Sequence, residues 1–314
     1  MSRFISFLWA EGERMVVFYR RLPNFGYLRP RDLDEALDRL AEETERGSKY
    51  RVLAGGTDLV PQLKSRAVAA PEFVIDLKGI AALSGLEDGA EGLRIGSLAT
   101  VTEVAASTVV AARYPALSLA ARNISARQIQ NRATIAGNIC NAAASADSAP
   151  PLLALGADVV CLSRGGERRV AIEDFFTGPG RTVLDPGELV SEIRIPPPGE
   201  GARSLYLKLA ARGRMDLAWV GVAAAGEAVN GGVENIRIGL GAVAPTPVRA
   251  RKAEAVAQGG LLNPDVVAEA ASAAASEIEP REDSYRASPR YRRLMVEVLT
   301  RRALEQIAGQ ETKA

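Results

Sequence analysis

Two adjacent glycines between a predicted strand and a predicted helix constrain this chain more than any other feature of its sequence. The residues up to Leu53 favour a short β-strand, those from Leu59 onward have helical character, and Ala54-Gly-Gly-Thr-Asp58 lies between them. Because glycine has no Cβ atom, this segment can adopt left-handed φ values and let consecutive N–H groups converge on an anion. Its threonine adds a hydroxyl donor, and the following helix end adds its dipole. The alternative is an ordinary tight turn with a helix cap.

A second segment, Thr134-Ile-Ala-Gly-Asn138, concentrates the same kinds of small residue. It lies within residues 132–151, which are small, polar and nearly uncharged and therefore predict a long functional loop. Taken alone, this segment could also be a flexible surface loop. Two such segments in one domain are expected when separate loops wrap a long diphosphate-linked cofactor. The sequence therefore predicts that residues 54–58 and 134–138 lie together around such a cofactor.

The sequence contains no histidine among its 314 residues. This excludes Ser-His-Asp and Cys-His catalysis, histidine-ligated zinc or haem, and a flavin linked through histidine. The two cysteines, Cys140 and Cys161, cannot supply the four thiolates of a typical iron–sulfur cluster or structural zinc site. For Cys140 we favour a small buried thiol over a nucleophile. We expect no metal site and no catalytic side chain in this chain.

The overall charge and the N-terminal residues bear on partners and location. Thirty-nine Lys and Arg against thirty-eight Asp and Glu leave a net charge of +1, so no global field favours nucleic acid. The only apolar N-terminal run, Phe4 to Ala10, is too short for a membrane span and lacks a small-residue cleavage site. The expectation is a cytoplasmic protein in a reducing environment without a membrane span.

Composition also suggests a division of the chain. The run Ile195-Pro-Pro-Pro-Gly-Glu-Gly201 is a stiff proline step followed by glycine, which makes it the best linker candidate. We predict an N-terminal extension over residues 1–20, one domain over 21–199 and a second over 203–312. In the second domain, Asn230-Gly231-Gly232 indicates a hairpin turn, and helices are predicted from Pro264 and Pro289. The buried face predicted for the last helix consists of Tyr291, Leu294, Met295, Val298 and Leu299.

Competing phosphate-binding motifs fail on their local context. Residues 239–244 match a relaxed dinucleotide fingerprint, but Pro245 and Pro247 follow where a helix would have to start. No Gly-Lys-Ser or Gly-Lys-Thr string occurs, which excludes a standard Walker A loop. The paired glycine segments remain the best-supported nucleotide site.

These residues resemble a known family, the FAD-binding subunits or domains of the molybdenum hydroxylases. That family includes xanthine dehydrogenase and the flavoprotein subunits of carbon monoxide dehydrogenase and 4-hydroxybenzoyl-CoA reductase. The resemblance begins near Phe25 and covers nearly the whole chain. It is strongest at the motifs Val52-Leu-Ala-Gly-Gly-Thr-Asp-Leu-Val60, Ala133-Thr-Ile-Ala-Gly-Asn138, Asp147-x-x-Pro150, Tyr206-Leu-Lys208 and Gly239-Leu-Gly-Ala-Val-Ala-Pro-Thr-Pro-Val-Arg249.

The resemblance implies an α+β protein: a two-subdomain FAD-binding fold of the vanillyl-alcohol-oxidase (PCMH) type, followed by a smaller α+β C-terminal domain. It also implies non-covalent FAD, with residues 53–59 and 134–138 at the diphosphate and ribityl chain. Asp147 would bind FAD, Leu189 or Val190 would make an apolar contact, and Lys208 would lie near the flavin ring, where a cation favours the anionic reduced form. The implied cofactor-binding residues are Leu53, Ala54, Gly55, Gly56, Thr57, Asp58, Leu59, Thr134, Ile135, Ala136, Gly137, Asn138, Asp147, Leu189, Val190 and Lys208.

Three departures from the family pattern stand out. Ala136 occupies a position where the family usually has glycine, which is harmless only if its φ is negative. Thr57-Asp58 replaces the His-Ser pair of some relatives, so a role of that histidine does not transfer. A cysteine-rich insertion that carries an extra four-iron cluster in one relative is missing between Asn141 and Asp147, so we expect flavin as the only cofactor here.

The function that the resemblance implies is an electron-exit subunit of a molybdenum hydroxylase complex. Substrate oxidation would take place on a large molybdopterin-binding subunit. Electrons would cross two-iron two-sulfur clusters on a small subunit, reach FAD here and leave to NAD, a quinone or another acceptor, in a dimer of heterotrimers. Two alternatives stay open: a free-standing FAD-dependent reductase or dehydrogenase, and a scaffold subunit without cofactor, for which Ala136 is the only indication.

Overall fold

The computed structural model describes residues 21–213, 215–229, 232–282, 284 and 286–309. The predicted extension over residues 1–20 therefore lies outside the described residues. Three larger sheets, each with its own helices, divide the described chain into three lobes, and a fourth, two-stranded sheet belongs to the second lobe. We refer to them as the first, second and third lobe.

The first lobe is a three-stranded parallel sheet with two helices. Its elements are β1 (Gly26–Leu28), α1 (Leu33–Glu45), β2 (Tyr50–Leu53), α2 (Leu59–Ser65) and β3 (Phe73–Asp76). Strand β3 lies between β1 and β2, parallel to both. Helix α1 begins after Asp32, whose side chain accepts a hydrogen bond from the Glu35 N–H. The sequence Asp32-x-x-Glu35 is typical of a capping box. The box is only half formed, since the Glu35 carboxylate accepts from the N–H of Arg31 and not from the N–H of Asp32.

The second lobe combines a five-stranded antiparallel sheet with several short helices. Its elements are β4 (Leu86–Gly89), β5 (Gly92–Gly96), α3 (Val101–Ala106), α4 (Thr108–Arg113), α5 (Pro115–Asn123), α6 (Arg127–Gln130), α7 (Ile135–Cys140), α8 (Ala149–Leu155), β6 (Asp158–Ser163), β7 (Gly166–Ala171), α9 (Ile172–Phe175), β8 (Phe176–Gly178), β9 (Arg181–Thr182) and β10 (Leu189–Ile195). The large sheet has the order β4-β5-β10-β6-β7, so the last strand in sequence occupies the middle.

The stretch predicted as one long loop contains helical structure. Helix α7 occupies residues 135–140, and α8 begins at Ala149, so only residues 132–134 and the turns of residues 141–148 lie outside helices. The prediction was wrong because α7 is organised by a side-chain cap: the Thr134 hydroxyl accepts a hydrogen bond from the Gly137 N–H at 2.9 Å. One capping threonine and two buried isoleucines, Ile135 and Ile139, were enough to make a short helix of small residues.

The third lobe is a four-stranded antiparallel sheet covered by three helices. Its elements are β11 (Ala202–Leu209), β12 (Val220–Val229), β13 (Gly232–Gly241), β14 (Val248–Arg249), α10 (Arg251–Ala257), α11 (Pro264–Ser276) and α12 (Pro289–Ala308). The predicted hairpin joins β12 to β13, although Asn230 and Gly231 of its turn are outside the described residues. Helix α11 is capped by Asn263, as its sequence predicts.

The glycines of the rejected dinucleotide fingerprint have a packing role. A Cβ atom on Gly239 would lie 2.2 Å from the backbone oxygen of Pro150 in α8, and one on Gly241 would lie 2.8 Å from the ring of the same proline. These two glycines of β13 therefore let the second lobe's helix α8 pack directly on the third lobe's sheet. No helix follows them, which agrees with the argument from the prolines.

The buried face predicted for α12 is wrong. Of the five predicted residues only Leu299 is buried, whereas Tyr291 and Leu294 are 38% and 54% exposed. The buried residues are instead Arg292, Val296, Leu299, Thr300, Ala303, Leu304 and Ile307. Arg292 can join this face because its guanidinium donates hydrogen bonds to the backbone oxygens of Trp219 and Ala242. Arginine, which normally lies on the exposed side of a helix, is thus the first residue of the buried face of α12.

Candidate cofactor-binding cleft

A cleft of about 690 Å³ lies where the first and second lobes meet. Its lining comes from the end of β2 and the start of α2, from residues around α7, and from the segment that leads into β10. All the predicted site residues line it except Ile135, Asp147 and Lys208. The two glycine-bearing segments, predicted to lie together, are therefore neighbours in the structure.

The first segment presents a run of unoccupied backbone donors. Within the described part of the chain, the N–H groups of residues 55–58 donate to no other protein group. The tight bend comes from Gly56, whose φ of +77° favours glycine. Asp58 stands at the N-cap of α2 without a side-chain cap hydrogen bond, so the alternative of a side-chain-capped turn does not account for this geometry. Consecutive free N–H groups of this kind form an anion-binding concavity.

The other glycine of the pair, Gly55, serves another purpose. A Cβ atom there would lie 2.0 Å from the backbone oxygen of Arg132 and 3.0 Å from the Cα atom of Ala133. Gly55 is not among the glycines with positive φ, so it is needed for close approach and not for a left-handed bend. The first segment thus packs backbone against backbone on the residues that immediately precede Thr134.

The second segment forms the opposite side of the same contact. Ala136 has no positive φ and lies inside α7, so its departure from glycine costs no backbone strain, and the indication for a scaffold without cofactor disappears. Ile135 is fully buried in the core of the second lobe.

Across the cleft, the Gln62 Nε2 atom of α2 donates to the Asn141 Oδ1 atom at 3.0 Å. Neither amide was predicted, although Gln62 is four residues from Asp58 on the same helix face.

The third part of the cleft is largely apolar. Leu189 and Val190 begin β10 and line the cleft together with Leu77 and Leu184. Ser97, at the end of β5, lies beside them and donates its backbone N–H to the Ser191 oxygen at 3.0 Å. Nothing in the local sequence marked Ser97 as a site residue. An apolar wall next to a row of N–H donors suits a ligand with both a flat ring and an anionic linker.

The charged residues that line the cleft are Arg51, Asp58 and Glu188. Burial raises the pKa of Asp58 above its ordinary value. The Arg168 guanidinium pairs with Glu188 through two bonds of 2.7 Å and holds the pKa of that carboxyl below its ordinary value. Binding of an anion here must therefore rely on N–H donors more than on basic side chains.

Cys140 also lines the cleft, and burial raises the pKa of its thiol to about 12. A thiol with such a pKa carries almost no thiolate at neutral pH and is a poor nucleophile. Cys140 is half-buried and not the buried thiol predicted, although its raised pKa argues against a nucleophile.

Asp147 and Lys208 bind each other instead of lining the cleft. The Asp147 Oδ2 atom lies 2.7 Å from the Lys208 Nζ atom, and the Tyr206 hydroxyl donates to Oδ1 at 2.6 Å. The Lys208 ammonium also donates to the Asn123 backbone oxygen at 3.2 Å. The neighbouring Ser148 hydroxyl donates to the Asn138 side chain at 2.6 Å and so connects this cluster to the cleft. The direct flavin contacts of Asp147 and Lys208 stay predictions.

A second cavity, of about 860 Å³, lies beside α6 and the loop that follows β11. Its basic residues are Arg122, Arg127 and Arg212, and Arg212 is largely exposed and paired with Asp216. None of the predicted site residues lines it. The cleft between the first two lobes is therefore the better candidate for a buried cofactor.

Comparisons with known proteins identify what this cleft belongs to. Residues 23–198 match the family model described as the FAD binding domain in molybdopterin dehydrogenase, and residues 205–307 match the CO dehydrogenase flavoprotein C-terminal domain. The chain belongs to the FAD-binding subunit family of the molybdenum hydroxylases. The predicted family and FAD as the predicted cofactor are thereby confirmed.

Individual relatives agree with this assignment. The chain is 36% identical over 284 residues to the putative xanthine dehydrogenase FAD-binding subunit of Escherichia coli. The alignment covers 89% of this chain and 94% of the relative. The chain is 34% identical over 282 residues to the carbon monoxide dehydrogenase medium chain of Hydrogenophaga pseudoflava, covering 90% and 96%. This flavoprotein is therefore a component of an oxidoreductase.

Solved structures confirm the predicted fold class. The model superposes on a chain of carbon monoxide dehydrogenase from Hydrogenophaga pseudoflava with a TM-score of 0.86 at 34% identity, covering 91% of this chain and 97% of that one. It superposes on a chain of quinoline 2-oxidoreductase from Pseudomonas putida with a TM-score of 0.83 at 29% identity, covering 92% and 98%. Among the described residues, none of the helices combines the length and apolar character needed to cross a membrane.

Proposed function

We propose that this flavoprotein holds FAD non-covalently in the cleft between its first and second lobes. The residues that would hold it are Leu53, Ala54, Gly55, Gly56, Thr57, Asp58, Leu59, Thr134, Ala136, Gly137, Asn138, Leu189 and Val190. The observation that carries the proposal is the run of free N–H groups at residues 55–58, which suits the diphosphate, beside an apolar wall that suits a ring. The residues present fit FAD, and the domain division at 21–199 and 203–312 is part of the same proposal.

The proposed role in the complex is electron exit. FAD supplies the chemistry for this role, because it accepts electrons singly and releases them singly or in pairs. With two cysteines and no histidine, this chain offers no usual ligand set for an iron–sulfur cluster, so we assign the two-iron two-sulfur clusters to a small partner subunit. The molybdopterin site and the substrate are assigned to a large partner subunit. The names of relatives, which include medium chains of dehydrogenases and the medium subunit of a hydroxylase, support this arrangement.

The remaining parts of the proposal concern acceptor, assembly and location. Electrons would leave to NAD, a quinone or another acceptor, and the complex would be a dimer of heterotrimers in the cytoplasm. In this role the chain's own residues bind and orient the cofactor and exclude water from its ring. None of them has to act as an acid or a nucleophile.

The test is the cofactor content of the full chain, alone and in complex with its partner subunits. We expect a yellow protein that releases one FAD per chain on denaturation, identified by chromatography. The complex should reduce an added acceptor when it is given substrate, and the isolated chain should not turn over an organic substrate. A folded, fully assembled complex without flavin absorbance would overturn the FAD assignment. Steady-state turnover of an organic substrate by the chain alone would favour a free-standing dehydrogenase.

A further inference from the structure

A few buried side-chain oxygens have no hydrogen-bond partner within the described residues. They are Glu43 Oε2, Ser97 Oγ, Ser118 Oγ and Thr300 Oγ1. A buried hydroxyl without a partner is unfavourable by about 1–3 kcal/mol, so each of these atoms calls for an explanation. Ser97 is the one among them that lines the cofactor cleft.

The local backbone separates Ser97 from the other two hydroxyl residues. Ser118 lies inside α5 and Thr300 inside α12, where a rotation about χ1 can bring the hydroxyl to the carbonyl four residues earlier. Ser97 follows the end of β5 and has no helical carbonyl behind it. Its backbone is fixed, because its N–H is bonded to the Ser191 oxygen of β10, whereas its hydroxyl can still turn about χ1; the residue is 3% exposed.

The neighbours of Ser97 indicate which part of a ligand it could meet. Through its bond to Ser191 it adjoins Val190, and both line the cleft with Leu189. These residues belong to the apolar wall and to the second lobe, whereas the free N–H groups of residues 55–58 belong to the first lobe. A single hydroxyl in an apolar wall suits the polar edge of a flat heteroaromatic ring better than it suits a charged diphosphate.

We propose that the Ser97 hydroxyl donates a hydrogen bond to a ring nitrogen or ring carbonyl oxygen of the flavin nucleotide. The inference rests on the proposed function, since it takes the cleft to be the FAD site. FAD carries two rings of suitable chemistry, adenine and isoalloxazine, and both offer such acceptors. Ser97 would then contribute to cofactor affinity and orientation without taking part in electron transfer.

The experiment compares Ser97→Ala with Ser118→Ala in the full chain after removal of flavin. Both substitutions delete a buried hydroxyl without a described partner, but Ser118 does not line the cleft. We expect the Kd for FAD to rise about five- to tenfold for Ser97→Ala and to stay unchanged for Ser118→Ala. The unfolding midpoint without flavin should not fall in Ser97→Ala, because this hydroxyl has no partner to lose among the described residues.

Titrations with ADP and with FMN identify the ring. If Ser97 contacts adenine, the substitution should weaken the binding of ADP and leave the binding of FMN unchanged. If Ser97 contacts isoalloxazine, the substitution should weaken the binding of FMN and shift the flavin absorbance. Equal FAD affinity of Ser97→Ala and the unmodified chain would overturn the inference, as would an equal loss in Ser118→Ala. An unmodified chain that binds no FAD would overturn the proposed function itself, which is a distinguishable result.

Discussion

The carboxylate of Asp147 and the ammonium of Lys208 form a buried ion pair that joins two lobes of the molecule. Asp147 lies in the turns between α7 and α8, Lys208 lies on β11, and the charged atoms are 2.7 Å apart. The side chains are 9% and 4% exposed, so solvent screens their attraction little. The pair therefore connects the cleft-forming part of the chain to the C-terminal sheet.

Replacing Lys208 with methionine should destabilise the protein strongly. The change leaves the Asp147 carboxylate buried without its cationic partner, and breaking a buried pair in this way costs about 3–5 kcal/mol. The free energy of unfolding from denaturant titration measures the effect. The double variant Asp147→Asn with Lys208→Met should recover more than half of the loss. A Lys208→Met protein as stable as the original would show that the pair is not structurally important.

The stability deficit of Lys208→Met should depend on pH. Burial raises the pKa of Asp147, and removing the ammonium removes an interaction that lowers it. A carboxyl whose pKa is higher in the folded than in the unfolded state favours folding as it takes up a proton. We therefore expect the deficit to shrink as pH falls from about 7.5 to about 5. The double variant, which lacks the carboxyl, should show no such trend, and a deficit that grows on acidification would contradict the argument.

Substituting Gly55 with alanine should impair both folding and cofactor binding. The new Cβ atom would collide with the backbone oxygen of Arg132, which cannot rotate away. We expect a loss of about 1–3 kcal/mol in stability and a loss of bound FAD. Gly89→Ala is the matched control, because a Cβ there meets no atom within 4 Å and its φ is not positive. Flavin absorbance per chain and the unfolding midpoint are the two measurements, and similar values for both variants would refute the packing role of Gly55.

Both cysteines should resist alkylation in the folded protein. Burial raises the pKa of the thiol to about 12 at Cys140 and to about 11 at Cys161. Since only the thiolate reacts, labelling by iodoacetamide should be slow at about pH 8 and rise roughly tenfold per pH unit while the fold persists. Mass spectrometry of the native protein and of the denatured chain, which should label readily, measures the difference. Fast native labelling of Cys140 would show that its thiol is activated.

Local signals predicted local structure well. The helices predicted from Pro264 and Pro289 begin there, capped by Asn263 and Ser288, because a cap and its N–H partner are only two or three residues apart. The bend at Gly56 follows from the same kind of reasoning. The resemblance to the family added the cofactor, which the residues alone could indicate only as a diphosphate ligand.

What the sequence could not show depends on contacts between distant residues. Nothing near Arg292 indicates that carbonyls of Trp219 and Ala242 will surround its guanidinium, so the buried face of α12 was misassigned. A left-handed bend was predicted at Gly55, because its contact with Arg132, which is distant in sequence, could not be foreseen. Ser97 is a common residue type in an unremarkable string, and only the folded structure reveals its unpaired hydroxyl.

The strand order of the second lobe has a consequence for biosynthesis. Strand β10 is the last of its sheet to leave the ribosome, yet it separates the pair β4-β5 from the pair β6-β7. Until it emerges, these are two disconnected hairpins, and the wall formed by Leu189 and Val190 is absent. With FAD in this cleft, as proposed, the nascent polypeptide would not capture its yellow prosthetic group early, and flavin loading would follow completion of at least the first two lobes.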